Sequence, residues 1–256
     1  MNDFELSLRQ QQILDAIKDN PNIKVNEISE ITKAAPATVR RDLNKLSELD
    51  FITKSYGKLS LVNPVDKRLR ETSDKFNEDQ IALIKSTEKQ IHSGHVVLLN
   101  YSDFNCQLVD ELLIKQKFAT IVTNSLDIFE RTKDSATINN ILLAGLYNKE
   151  TKTFSGTTTY SILSTLRADC FIMHPSGIDF DLGFLAEPTE DLQLLQQMLN
   201  VARKVILYID ESCIKKTSGL LVSGFNLVNT VVVNKQVYEE YKNELNLYDF
   251  NIIIAE

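Results

Sequence analysis

What this sequence lacks narrows the field first. Its 256 residues contain no run of about 18 apolar residues, so no membrane span is expected. Cysteine is scarce. Cys106, Cys170 and Cys213 are odd in number, lie far apart and form no CxxC or Cys/His cluster, which argues against a disulfide framework and a zinc site. Cys170 sits in an apolar run and reads as a core residue. The three histidines, His92, His95 and His174, make no metal-ligand spacing, and the first two flank Gly94 in an expected turn. There is no GxGxxG, no P-loop and no nucleophile in a recognisable elbow. No metal, no cofactor and no catalytic residue is therefore assigned, and the chain reads as a non-enzyme. The N-terminal stretch MNDFELSLRQQQ lacks the basic region and apolar core of a secretory signal, so a cytoplasmic location is expected. A net charge of −7 argues against coating nucleic acid along the whole surface, but leaves room for a local basic patch.

What is present describes an ordinary folded chain with an uneven design. Hydrophobic residues at 43% and charged residues at 25% suit a normal core. The pattern divides into a segment 1–62, a polar connector 63–77 and a segment 78–256. In residues 4–19, Leu6, Ile13, Leu14 and Ile17 fall on one helical stripe, which Asn20-Pro21-Asn22 stops. Val25, Ile28 and Ile31 mark a short second helix. A third begins at Pro36, a residue suited to the first helical position, and buries Val39, Leu43 and Leu46. Residues 51–54 and 58–62 then read as two short strands around Ser55-Tyr56-Gly57. This order is that of a winged helix-turn-helix.

With Val39 inward, a rotation of about 100° per residue puts Ala37, Arg41, Asn44 and Glu48 outward, flanked by Thr38, Arg40 and Lys45. Small and basic residues at the start of a helix suit approach to base edges in a major groove. Lys33 adds to that face, and Lys54 and Lys58 on the hairpin are placed for phosphates, which position without reading sequence. The competing reading is a solvated charged face, since residues 1–63 carry as many acids as bases. The local excess in residues 33–45, four bases against Asp42 alone, favours double-stranded DNA.

The stretch VNEISEITKAAPATVRRDLNKLSELDFITKSYGKLSL resembles the N-terminal domain of the DeoR family of bacterial regulators. Thr38-Val39-Arg40-Arg41-Asp42-Leu43 fits the family's T-[VI]-R-R-D-L recognition helix throughout. Ala34-Ala35 stands where the family usually has a serine, which forgoes a cap worth about 1 kcal/mol. The wing turn keeps one glycine, Gly57, of the usual two.

The connector (NPVDKRLRETSDKFN) reads as a linker or the start of a bridging helix, with Lys67, Arg68 and Arg70 open to solvent or to phosphates. From Glu78 a helix is expected to run to His92-Ser93-Gly94. Seven apolar strands follow, at 96–99, 120–123, 140–143, 170–173, 205–209, 230–233 and 252–255. Helices are expected between most of them, at 106–115, 126–132, 158–166, 190–202 and 235–246. The fold class is therefore α/β: an N-terminal winged helix-turn-helix plus a C-terminal, mainly parallel α/β sensor domain. In such sheets ligands bind beyond the carboxyl ends of the strands.

Those strand ends resemble the DeoR effector domain, a fold related to ribose-5-phosphate isomerase, which implies a pocket for a phosphorylated sugar or related metabolite. The positions implied are Asn100, Ser102, Asp103, Thr123, Asn124, Gly145, His174, Ser176, Gly177, Asp210, Ser212 and Lys215. Departures cluster there. The family's glycine-bearing first loop is Asn100-Tyr101-Ser102-Asp103-Phe104-Asn105, and Asp103 would repel a phosphate by on the order of 1–4 kcal/mol at about 4 Å. His174 replaces a glycine, and the family's Asp-x-Ser-Lys appears as Asp210-Glu211-Ser212-Cys213, with Lys215 and Lys216 displaced. Two readings stand: a pocket retuned to a different anion by His174 and Lys215 or Lys216, or a lost phosphate site in a domain that oligomerises or takes another ligand. An isomerase-like enzyme is the rival from another class. The resemblance implies a homo-oligomeric repressor of a carbohydrate or metabolite operon, with a DNA operator and a small effector as partners. A dimer would set recognition helices about 34–36 Å apart.

Overall fold

A computed structural model describes residues 7–20, 22–49, 51–55, 58–61, 75–214 and 216–256. The chain forms two compact units, Met1–Glu71 and Thr72–Glu256. Most of the connector, residues 63–74 with Lys67, Arg68 and Arg70, lies outside the described residues, as do Leu6, Gly57 and Lys215.

In the first unit, α1 (Leu8–Asp19), α2 (Val25–Thr32) and α3 (Pro36–Glu48) precede an antiparallel hairpin of β1 (Ile52–Ser55) and β2 (Lys58–Leu61). Ser7 caps α1 through a reciprocal pair with Gln10, satisfying two N–H groups that the first helical turn leaves open. Lys33 ends α2 in the left-handed region. Pro36 opens α3 behind Ala35, which offers no capping side chain, as the sequence implied. Ile13, Ile17, Ile28, Val39, Leu43, Leu46 and Ile52 close one core. Of the spaced trio on α2, Ile28 is buried, Val25 is half-buried and Ile31 is half exposed. On a helix of eight residues the core touches little more than one position per turn, and Ile28 takes it.

The second unit is built on α4 (Glu78–Glu88), β3 (Val96–Leu99), α5 (Asp103–Ile114), β4 (Ala119–Thr123), α6 (Leu126–Thr132) and β5 (Ile138–Leu142). A hairpin of β6 (Leu146–Asn148) and β7 (Thr153–Ser155) leads to α7 (Thr157–Ser164) and β8 (Ala168–Met173). Then come β9 (Gly177–Asp179), β10 (Gly183–Ala186), α8 (Leu192–Val201), β11 (Ala202–Ile209), α9 (Glu211–Ile214) and β12 (Leu220–Ser223). The unit closes with β13 (Thr230–Val233), α10 (Lys235–Leu245) and β14 (Asn251–Ile254). α4 stops at Glu88, a turn earlier than Gly94 suggested.

Seven strands make one parallel sheet in the order β14-β13-β11-β8-β3-β4-β5. Successive side chains leave a strand on opposite faces, and here both faces are buried. Leu98, Phe171, Met173 and Leu207 pack with α7, α8 and α10 on one side. Val97, Leu99, Ile172 and Tyr208 pack with α4, α5 and α6 on the other. A second, antiparallel sheet of order β12-β10-β9 was not foreseen. Its strands have only three or four residues, too few to show an alternation in the sequence.

The sheet order reverses at its centre. From β3 the chain runs outward through β4 to β5, whereas from β8 it runs the opposite way through β11 and β13 to β14. Between β3 and β8 the loops at the carboxyl ends therefore diverge and leave a crevice.

Candidate functional site

Two regions carry the predicted residues. On the first unit, Lys33, Ala37, Arg40, Arg41, Asn44 and Lys45 are exposed and Thr38 is half-buried. The strand backbones that carry Lys54 and Lys58 pair as a hairpin, but those two side chains lie outside the described residues. Asp42 does not share the exposed face. It is 7% exposed, and it accepts a hydrogen bond from Arg9 Nε at 2.6 Å across α1 and α3. The acid in the Arg-Arg-Asp run thus turns inward, and its charge is met by a residue of another helix.

On the second unit, a cavity of about 480 Å³ opens at the crevice between β3 and β8. Asn100, Ser102, Asp103, Asn124, His174, Ser176 and Ser212 line it, together with Lys216. Among the described residues, the remaining predicted positions, Thr123, Gly145, Gly177 and Asp210, do not. Thr123 is buried, and its hydroxyl accepts from Ser125 N. Gly145 and Gly177 are close-approach points: a Cβ would lie 2.1 Å from Thr159 Oγ1 in the first and 2.3 Å from Lys216 O in the second. Asp210 is fully buried behind His174 and Ser212.

The loop 100–105 explains its own lack of glycine. Ser102 caps α5 by accepting from Asn105 N. Buried Asn105 donates to Asn100 O at 2.9 Å and accepts from Tyr208 hydroxyl at 2.8 Å, which fixes the loop to β11. Phe104 stacks on the His174 ring at 3.7 Å between centroids. These side chains fill the space that a phosphate-binding loop keeps open for backbone N–H groups.

The lining that sequence reasoning missed is acidic: Glu187, Glu190 and Asp191. Burial pushes the Glu190 carboxyl up, against hydrogen bonds from Glu187 N and Asn100 Nδ2 that favour its charge. Asp191 accepts from Tyr160 hydroxyl and from Leu194 N at the start of α8. Lys216 pairs with Glu187. The acids follow β10 of the small sheet, so inspection of the main strand ends alone passes over them. Asn124 donates to Phe154 O, while its buried Oδ1 has no hydrogen-bond partner among the described residues.

Behind the cavity wall, folding joins three residues remote in sequence. His174 Nε2 lies 3.3 Å from Asp210 Oδ1 and 3.3 Å from Cys213 Sγ, and Sγ lies 3.5 Å from the same Oδ1. Asp210 Oδ1 also accepts from Ser212 Oγ at 2.5 Å and Ser212 N at 3.1 Å, and its Oδ2 accepts from Gln80 Nε2 at 2.7 Å. Burial pushes the Asp210 carboxyl up, but His174, Gln80 and Ser212 together hold it well below the usual carboxylate range. Burial raises the Cys213 thiol well above its ordinary value. Among the described residues, no helix is long and apolar enough to cross a membrane.

Two family models match the chain. That of the DeoR C terminal sensor domain covers residues 77–235, and that of the DeoR-like helix-turn-helix domain covers residues 9–65. The HTH-type transcriptional regulator IolR of Bacillus subtilis is 23% identical, over 97% of this chain and 99% of that protein. The lactose phosphotransferase system repressor of Lactococcus lactis is 24% identical, over 94% and 95%. The glycerol-3-phosphate regulon repressor of Escherichia coli is 23% identical, over 87% and 88%.

Proposed function

The chain belongs to the DeoR family of DNA-binding transcriptional regulators, and from that premise we propose that it represses a carbohydrate or related metabolite operon under control of a small effector. The observation that carries the DNA half is the inward turn of Asp42. It leaves Arg40, Arg41 and Lys45 as the charge that the first three turns of α3 offer outward, beside Ala37, Thr38 and Asn44, with Glu48 exposed at the far end of the helix. Arginine pairs with guanine through two parallel hydrogen bonds, and Lys33, Lys54 and Lys58 supply phosphate contacts. Residues 1–62 then form the DNA-binding part and 78–256 the effector-binding and oligomerising part. The repressor works in the cytoplasm as a homo-oligomer on a two-part operator.

The effector reading rests on the cavity between β3 and β8. Its carboxylates, Asp103, Glu187, Glu190 and Asp191, accept hydrogen bonds from ligand hydroxyls, and Ser102, Asn124, Ser176 and Ser212 add neutral partners. A hydroxylated, uncharged carbohydrate suits that lining better than a phosphate, which would meet several like charges and one lysine already paired. The two repressors named above for lactose phosphotransferase and glycerol-3-phosphate functions support the carbohydrate class.

The test is selection of bound DNA from a random library, repeated with neutral sugars and polyols and with their phosphates. A two-part site released by a neutral member is expected. Release by phosphorylated members alone would sink the effector class, and no selected site at all would sink the DNA reading.

A further inference from the structure

The geometry points to a divalent transition-metal site of zinc class formed by His174 Nε2, Asp210 Oδ1 and Cys213 Sγ, beside the effector cavity. The three atoms form a nearly equilateral triangle, with sides of 3.3, 3.3 and 3.5 Å. Zinc bonds of about 2.3 Å to sulfur and about 2.0–2.2 Å to nitrogen and oxygen, at tetrahedral angles, separate ligand atoms by roughly 3.3–3.6 Å. The observed triangle is of that size.

A nucleophile relay would look different. There the acid and the nucleophile use opposite ring nitrogens, so that one orients the imidazole while the other exchanges its proton. Here Asp210 and Cys213 both meet Nε2. Without a cation, the Sγ proton goes to Pro175 O and the Nε2 proton to Asp210 Oδ1, whereas a cation near the triangle's centre would bind all three atoms at once.

The surroundings fit the same assignment. The Asp210 and Cys213 side chains are fully buried, and a thiolate with a carboxylate would neutralise a divalent cation, which is what a buried ion requires. Binding releases the Cys213 proton to solvent and uses the Nε2 lone pair, with the imidazole proton on Nδ1. Gln80 holds the second oxygen of Asp210, Ser212 holds the first, and Phe104 fixes the His174 plane by stacking. Such outer partners orient the ligands of a metal site. Pro175 O, 3.1 Å from Sγ, is the thiol's partner when no cation is present. Three protein ligands leave a fourth tetrahedral position, and because His174 and Ser212 border the cavity, water or an effector oxygen can take it. The sequence hides this site because its ligands follow two different strands, β8 and β11, which lie side by side in the sheet.

The test loads the purified full-length chain with zinc and, separately, with cobalt(II), then removes excess by dialysis. The expected result is one metal per chain and a cobalt-thiolate charge-transfer band in the near ultraviolet. C213S should abolish the band, while C106S and C170S keep it. Q80A should weaken the metal by about 10–100-fold. Wild-type protein that retains no metal and shows no band would overturn the site, and so would a band that follows Cys106 or Cys170. The decisive reading is made on the wild-type chain, so it does not depend on any variant folding. Release of DNA by a neutral sugar would survive failure of the metal site.

Discussion

The two units use charge in opposite ways. On α3, most of the side chains proposed to function stand in solvent, while the acid of the Arg-Arg-Asp run is drawn into the core and met by Arg9. Around the cavity, polar groups are held inside by hydrogen bonds from neighbouring loops, helices and strands, as Asn105 is by Asn100 and Tyr208. One element suffices to build a surface that reads DNA. A cavity needs four or five strand ends brought into register. A single substitution should therefore remove function from the first region without unfolding it, and tend to disturb packing in the second.

The largest expected effect tests the packed character of the loop 100–105. Phe104→Ala removes a buried ring that stacks on His174 and should cost about 3–5 kcal/mol in chemical denaturation. A loss under about 1 kcal/mol would mean that the loop is not held by packing. Next, Arg41→Ala should weaken binding to the selected operator by about 1–3 kcal/mol, with relaxed preference at one base position and unchanged folding. An equal loss on random DNA would assign Arg41 to the phosphates instead. Smaller still, Ala35→Ser supplies the cap that α3 lacks and should stabilise the chain by about 1 kcal/mol, with operator affinity unaltered. Last, Lys54→Ala should lower affinity evenly across sequences and reduce the salt slope by about one. A change in sequence preference would place Lys54 at a base edge.

How much of this could be read in the sequence follows the same division. The helical stripe of Val39, Leu43 and Leu46 fixes which side of α3 is buried, so its exposed residues follow from rotation alone. The seven parallel strands are legible because burial on both faces writes them as short apolar runs. The resemblance reached Asn100, Ser102, Asn124 and Ser176 through strand ends, and those do meet in one cavity. It could not reach Glu187, Glu190 and Asp191, because they follow β10, a four-residue strand of the small antiparallel sheet and not one of the seven strand ends the resemblance points to. Nor could spacing reveal the triangle of His174, Asp210 and Cys213. Their proximity follows from the pairing of β8 with β11, where Met173 lies opposite Leu207, and pairing is not a property of either segment alone.

The inward carboxylate of Asp42 carries one more consequence. The proposed DNA-facing surface has a silent custodian, Arg9, which stands on another helix and belongs to none of its contacts. Replace Arg9 and the buried acid loses its counterion. Its charge would then be felt beside Arg41, where it competes with the phosphates of an incoming duplex. A variant that never touches DNA would thereby read as a recognition mutant. The aspartate in the Thr38–Leu43 motif is better understood as part of the helix's electrical insulation than as part of its code.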